Sequence, residues 1–297
     1  MKHIYLIIIS AVFFTSCSQT GKQGNSEKQP IQESPGPKLE MLWESDTLLT
    51  TSESVLYDET NDILYVSCIN GVPPTAQDED GFIAKISPKD GKIIDEKWIT
   101  GLDAPKGMGL FENKLYVTNI DEIWTIDIES GEVIEKTTVD SAQFLNDITV
   151  DDTGNVYFSD SGTDKIHLLD TNGELSTWLV SKELGRPNGL LHNGDRLMLA
   201  TSGAGTFNYI KYNDKMVNLL LNSIPSGDGV VKVGDDYLVS NWNGEVYFVN
   251  SKWEKTKLLD TKDDGKNTAD IEFNQKEMIL YIPTFFGNQV AAYKLEK

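Results

Sequence analysis

The chain has 297 residues, 39% of them apolar, with 46 acidic residues against 26 basic ones and a formal net charge of −20. That length and composition can bury a sizeable core. The acidic balance repels phosphate backbones and anionic lipid surfaces, which excludes nucleic acid as a partner and favours cations or neutral small molecules.

In chain order, the first element is Lys2 followed by the apolar run "IYLIIISAVFF" and small residues ending at Cys17. This reads as a signal peptide over 1–17, with an apolar stretch too short to span a bilayer as a mature helix. The segment "FTSC" resembles the lipobox of bacterial lipoproteins, which predicts cleavage before Cys17 and lipidation of that residue. The alternative is an ordinary secretory peptide with an incidental Cys. Residues 18–37, "SQTGKQGNSEKQPIQESPGP", have too few apolar side chains to fold and read as a flexible tether. The chain is therefore expected at the bacterial cell envelope as a lipid-anchored monomer. The lack of an acidic cluster directly after Cys17 points to the periplasmic face. Lipidation leaves Cys68 without a partner, so no disulfide is expected, and Cys68 reads as a buried packing residue.

From Glu53 onward one pattern recurs six times: "ESVLYDETNDILYVSC", "KGMGLFENKLYVTN", "NDITVDDTGNVYFSD", "NGLLHNGDRLMLATS", "DGVVKVGDDYLVSN" and "DIEFNQKEMILYIPT". Each copy has a polar residue, a short apolar strand, a turn of Asp, Asn, Gly or Glu, and a second strand ending in small polar residues. Two more strand-like runs follow, joined by "SG" or "NG" turns. From Lys106 the copies begin at intervals of 40, 42, 40 and 42 residues. Four short strands at that period predict an all-β fold, a six-bladed β-propeller over 38–297. An irregular sandwich has no fixed period.

The first interval is longer because "CINGVPPTAQDEDG", Cys68 to Gly81, inserts a polar loop of the kind that covers a site. The sixth copy supplies only three strands. "KLEMLWES", Lys38 to Ser45, is predicted to complete it, so that the ring closes by joining the two ends of the chain.

In a propeller the innermost strand of each blade lines a central channel, so the six starting residues converge at one mouth. They are Glu53, Lys106, Asn146, Asn188, Asp228 and Asp270, five of them oxygen donors. Such a set, without His or Cys, suits a hard cation of the calcium type, with magnesium or manganese as alternatives. Each Asx residue could instead bond its own backbone before a strand, and Asp270 could cap a loop. Charged Lys106 cannot bind a cation and is expected to contact an acidic substrate group or to pair with a carboxylate. His167 and His192 fall inside or after strands, away from the mouth. "GAGTFN" lacks the Lys and the spacing of a phosphate-binding loop.

At these residues, and through "LNDITVDDTGNVYFSD", "RPNGLL" and "SGDGVV", the chain resembles the senescence marker protein, gluconolactonase and regucalcin-like family from about Glu53 to Tyr281. That resemblance implies a six-bladed propeller with one axial divalent metal, usually calcium, held by Glu53, Asn188 and Asp228. It also implies that Asn146 lies near the metal or the substrate and that Asp228 is the catalytic base or nucleophile. The implied activity is metal-dependent hydrolysis of a lactone or related ester, a small-molecule substrate to which Asn146, Lys106 and Asp270 would bind. Phe144 stands where sugar-lactone hydrolases of the family carry Arg, which argues against a gluconolactone substrate. The alternative is a lipid-anchored propeller that binds a ligand or holds a structural metal without catalysis.

Overall fold

A computed structural model describes residues 36–297. Residues 1–17, expected as a signal peptide ending at a lipidated Cys17, and nearly all of the expected tether lie outside the described residues. Within 36–297 the chain forms six four-stranded antiparallel sheets. Their innermost strands are Ser52–Asp58, Pro105–Phe111, Leu145–Val150, Pro187–Asn193, Gly227–Val233 and Glu272–Asn274, and each meets the next in a closed cycle. This is the six-bladed propeller expected from the period.

Alternation along each strand explains the core. Successive side chains point to opposite faces of a sheet, so a blade buries one set against the preceding blade and the other against the following one. The result is six apolar slabs. Leu190 with Tyr157 and Trp178 fills the slab between blades three and four, and Val230 with Met198 and Phe207 fills that between four and five. Cys68 is fully buried between blades one and six, among Val66, Phe82 and Tyr281. Burial raises its thiol well above the ordinary range, in keeping with a packing role.

The strand hairpins are set by Asx chemistry. Asp127 accepts from the backbone N–H groups of Glu129 and Ser130, and Asp151 from those of Thr153 and Asn155, each at 2.8–3.1 Å. Ring closure follows the expected route. Lys38–Glu44 pairs antiparallel with Val290–Glu296, from Lys38 opposite Glu296 to Glu44 opposite Ala291. The last blade thereby gains its fourth strand, and both ends of the folded chain are held in one sheet.

Candidate functional site

The residues that begin each repeat owe their direction to an irregularity in strand pairing. Register slips between Ser52 and Ser54, Pro105 and Met108, Leu145 and Ile148, Pro187 and Leu190, and Gly227 and Val230. Each slip is a bulge that brackets Glu53, Lys106, Asn146, Asn188 or Asp228. A bulge frees a residue from the ladder and re-aims its side chain. Five side chains are thus turned toward the same end of the channel, where they line one cavity of about 350 Å³.

The sixth spoke differs from expectation. Ile271 fills the slab against blade five just as Val230 fills that against blade four, and Val230 lies two residues after Asp228. The same spacing puts the fully buried Ala269 at the sixth head position, so blade six adds no head side chain to the mouth cavity. The Ala269 carbonyl accepts from Ser240 Oγ at 2.7 Å, as the Asn188 carbonyl accepts from Ser159 Oγ at 2.9 Å. Asp270 sits one residue deeper, where its N–H donates to the Glu53 carbonyl and its carboxylate accepts from Ser54 Oγ at 2.7 Å. It does not line the mouth cavity. The polar Asp270 beside the strand suggests a head one residue too late, whereas packing of Ile271 decides the register.

Beside Asp270 lies Asp147, whose carboxylate accepts the N–H groups of Leu190 at 2.6 Å and Ile148 at 2.7 Å and so ties blade three to blade four. Burial pushes Asp147 well above the usual carboxylate range, reinforced by the charge of Asp270, and pushes Asp270 up to about 6. Both carboxyls border a second cavity of about 410 Å³ at the other end of the channel. There they are already committed to backbone and hydroxyl partners.

The mouth cavity is different in kind. Glu53 is 5% exposed, Asp228 3% and Lys106 1%. Glu53 Oε2 and Asp228 Oδ1 are buried without a hydrogen-bond partner among the described residues, an arrangement that normally costs free energy. Burial pushes the Glu53 carboxyl up to about 8 against the pull of Lys106, with Asp270 adding repulsion. Asp228 is pushed well above the carboxylate range by burial and then by Glu53 and Asp270, with the Asn188 amide opposing. Lys106 is pulled down to about 8 by burial, which Glu53 opposes. Its Nζ donates to the Ala104 carbonyl at 2.9 Å and the Pro74 carbonyl at 3.0 Å, and lies 4.6 Å from the centre of the Phe144 ring. The loop from Cys68 to Gly81 reaches the mouth through Pro74.

Glu53, Asn188, Asp228 and Asn146 are the residues able to hold a hard cation here. Among the described residues no three His, Cys, Asp or Glu side chains gather as a metal cluster, so the donor set is two carboxylates and two amides. Such oxygens match calcium, magnesium or manganese, and a divalent cation would neutralise the two unpartnered carboxylate atoms. Neither described histidine lines the cavity. His167 stacks on Phe158, and Nδ1 of His192 is 2.6 Å from the Tyr212 hydroxyl.

Two further positions of the repeat complete the cavity, and of their residues only Phe144 is marked in the sequence. One lies two residues before the mouth residue and contributes Phe144, Arg186 and Ser226; the other directly follows the second strand and contributes Ile69, Ser161, Ser202, Trp242 and Phe285. They flank the repeated segments, two residues upstream of a head and at, or one residue past, the downstream end.

Linkage gives the burial of these groups a measurable sign. A carboxyl raised in the folded state favours folding at low pH and loses that advantage as pH climbs through its folded value. For Glu53 the window runs from its ordinary 4.5 to about 8, and Asp270 at about 6 and Glu272 at about 7 act in the same direction. Glu245 and Asp160, held near 2, contribute a constant amount above about pH 5. Lys106, depressed to about 8, weakens folding below that value and recovers only toward 10.5. In chelator, melting temperature should fall between pH 5 and pH 8; a rise across that window would show that these carboxyls ionise freely when folded.

No family model matches the chain, and a search of curated proteins finds no match. Among solved structures, the chain is similar to virginiamycin B lyase from Staphylococcus aureus in a catalytically inactive His-to-Ala form with quinupristin. The TM-score is 0.62 at 14% identity, over 87% of this chain and 99% of that one. It is similar as well to a streptogramin B lyase, with TM-score 0.63 at 10% identity over 88% and 98% of the two chains. The selenomethionine form of the S. aureus lyase gives 0.62 at 13% identity over 87% and 99%. At such identities the likeness shows the propeller fold alone.

Proposed function

We propose that the mouth of the channel holds a divalent cation, calcium first and magnesium or manganese with the same donors, and that the chain hydrolyses a lactone or related ester there. The observation that carries this reading is the pair of buried, unpartnered carboxylate atoms, Glu53 Oε2 and Asp228 Oδ1, on one cavity. Glu53, Asn188 and Asp228 would hold the cation, with Asn146 beside them. When bound, it would supply Lewis-acid polarisation of the ester carbonyl.

The chain's own groups have separate tasks. Asp228 accepts the proton of the attacking water as its oxygen bonds to the acyl carbon, and that proton ends on the alkoxide oxygen as the acyl C–O bond breaks. Lys106, with two hydrogens given to the carbonyls of Ala104 and Pro74, has a third for a substrate oxygen. The amide of Asn146, fixed by its donation to Ser161 Oγ at 3.3 Å, orients the substrate. Trp242 and Phe285 form a wall that limits water.

The similar lyase is inactive when a histidine is changed to alanine, and the mouth cavity has no histidine. Hydrolysis through Asp228 does not need one. The reading includes the lipid anchor at Cys17, with a monomeric propeller facing the periplasm.

A panel of lactones, aryl esters and phosphotriesters, assayed with calcium and with chelator, tests the proposal. Calcium-dependent cleavage of a lactone or ester is the expected result. Tight cation binding without turnover across the panel would leave a binding module instead.

A further inference from the structure

We infer that the ligand of the mouth site carries an anionic group, of carboxylate type, gripped by Arg186, and an aromatic or other flat apolar part packed on Trp242 and Phe285. Only turnover at this site rests on the hydrolase reading; binding of the anion and the ring does not.

Arg186 lines the cavity and is exposed to solvent. In a chain of net charge −20, its guanidinium forms no ion pair among the described residues, whereas the other arginine, Arg196, bonds Asp195 at 2.8 Å. An arginine fork matches carboxylate geometry with two parallel hydrogen bonds. Its backbone is held in the left-handed region, at φ 59, by three contacts. The N–H of Arg186 donates to Asp164 Oδ1 at 2.7 Å, and its carbonyl accepts from the N–H of Ser202 at 2.9 Å and from Ser202 Oγ at 3.1 Å. Its stem lies across Gly203, where a β-carbon would come within 3.0 Å of Arg186 Cγ and Cδ. Residues held in uncommon backbone conformations persist where surrounding structure fixes them. Here the fixed element presents to a cavity a cation that has no ion pair among the described residues.

Across the same cavity, Trp242 and Phe285 meet edge-to-face with ring centroids 4.6 Å apart. Phe286 extends the cluster at 4.9 Å from Phe285 and is 54% exposed. Aromatic side chains gathered at an opening supply a flat apolar surface to a ligand. A cavity of about 350 Å³ has room for one ring and one small charged group.

Titration calorimetry with phenylacetate and its neutral counterpart phenylacetamide tests this, on the wild-type chain and on Arg186→Gln, Arg186→Lys and Trp242→Ala, in chelator and in calcium. The wild type should prefer phenylacetate by about tenfold or more. Arg186→Gln should erase the preference without changing phenylacetamide affinity, Arg186→Lys should keep part of it, and Trp242→Ala should weaken both ligands alike. A preference that survives Arg186→Gln, no preference in the wild type, or no binding of either probe in the millimolar range would overturn the inference. Turnover is not needed, so a chain with Arg186-dependent binding and no ester cleavage upholds the inference and sinks the hydrolase reading alone.

Discussion

Asp228→Asn should lower cation-dependent lactone or ester cleavage by about 10²–10⁴-fold while leaving the propeller folded, and in chelator the variant should melt no lower than the wild type. The substitution keeps shape and volume but removes the group assigned to take the proton from water. It also removes one of the two carboxylates facing the cavity, so calcium should no longer raise the melting temperature. The stability half of the expectation comes from the site itself. Asp228 Oδ1 has no partner, and burial already disfavours its charge, so a neutral amide relieves a cost that the wild type bears. Activity measured beside circular dichroism and thermal unfolding separates the effects. Cleavage within tenfold of wild type would remove Asp228 from the chemistry, and a large drop in melting temperature would mean that its charge is satisfied in a way its surroundings do not indicate.

Gly189→Ala should damage the fold where Asp228→Asn spares it. A β-carbon at Gly189 would lie 1.8 Å from the Asp228 carbonyl oxygen and 3.2 Å from Gly229 Cα. The obstacle is backbone, so no side chain can swing aside, and blades four and five must spread at the mouth. Overpacking of this kind costs about 3 kcal/mol, a fall in melting temperature of roughly 6–12 °C for a domain of this size. Because Asn188 and Asp228 flank the clash, cation binding should weaken too. Gly71→Ala is the control, since nothing lies within 4 Å of a β-carbon there. A loss under about 1 kcal/mol at Gly189 would show that adjoining blades part more easily than their close packing implies.

The repeat was legible because every blade solves the same problem. Each innermost strand faces one channel and two slabs, so the same alternation returns at nearly the same interval, and Asn146, Asn188 and Asp228 stand out as polar residues at its head. The missing fourth strand of blade six was legible for a similar reason, since a sheet edge left bare demands a partner and Lys38–Glu44 provides it. At the sixth copy the head is the apolar Ala269, so the polar Asp270 beside Ile271 looks like the head although it matches Asp147 and Gly229 of the other copies. Only the register of Glu272 opposite Tyr281, with Ile271 packed against blade five, decides between them.

Arg186, Trp242 and Phe285 carry no mark within their own repeats that they face the channel. The bulges that aim the mouth side chains were invisible as well, because a bulge exists only in the pairing of two strands.

Local periodicity and residue chemistry suffice to specify the architecture and the oxygen-rich character of one channel mouth. Only the assembled blades reveal which of those oxygens lack partners among the described residues, that Lys106 is buried against two carbonyls, and that Arg186 lines the cavity without an ion pair among the described residues. Those properties depend on neighbours contributed by other blades, and satisfaction of a buried polar atom is settled only when all the groups around it are in place.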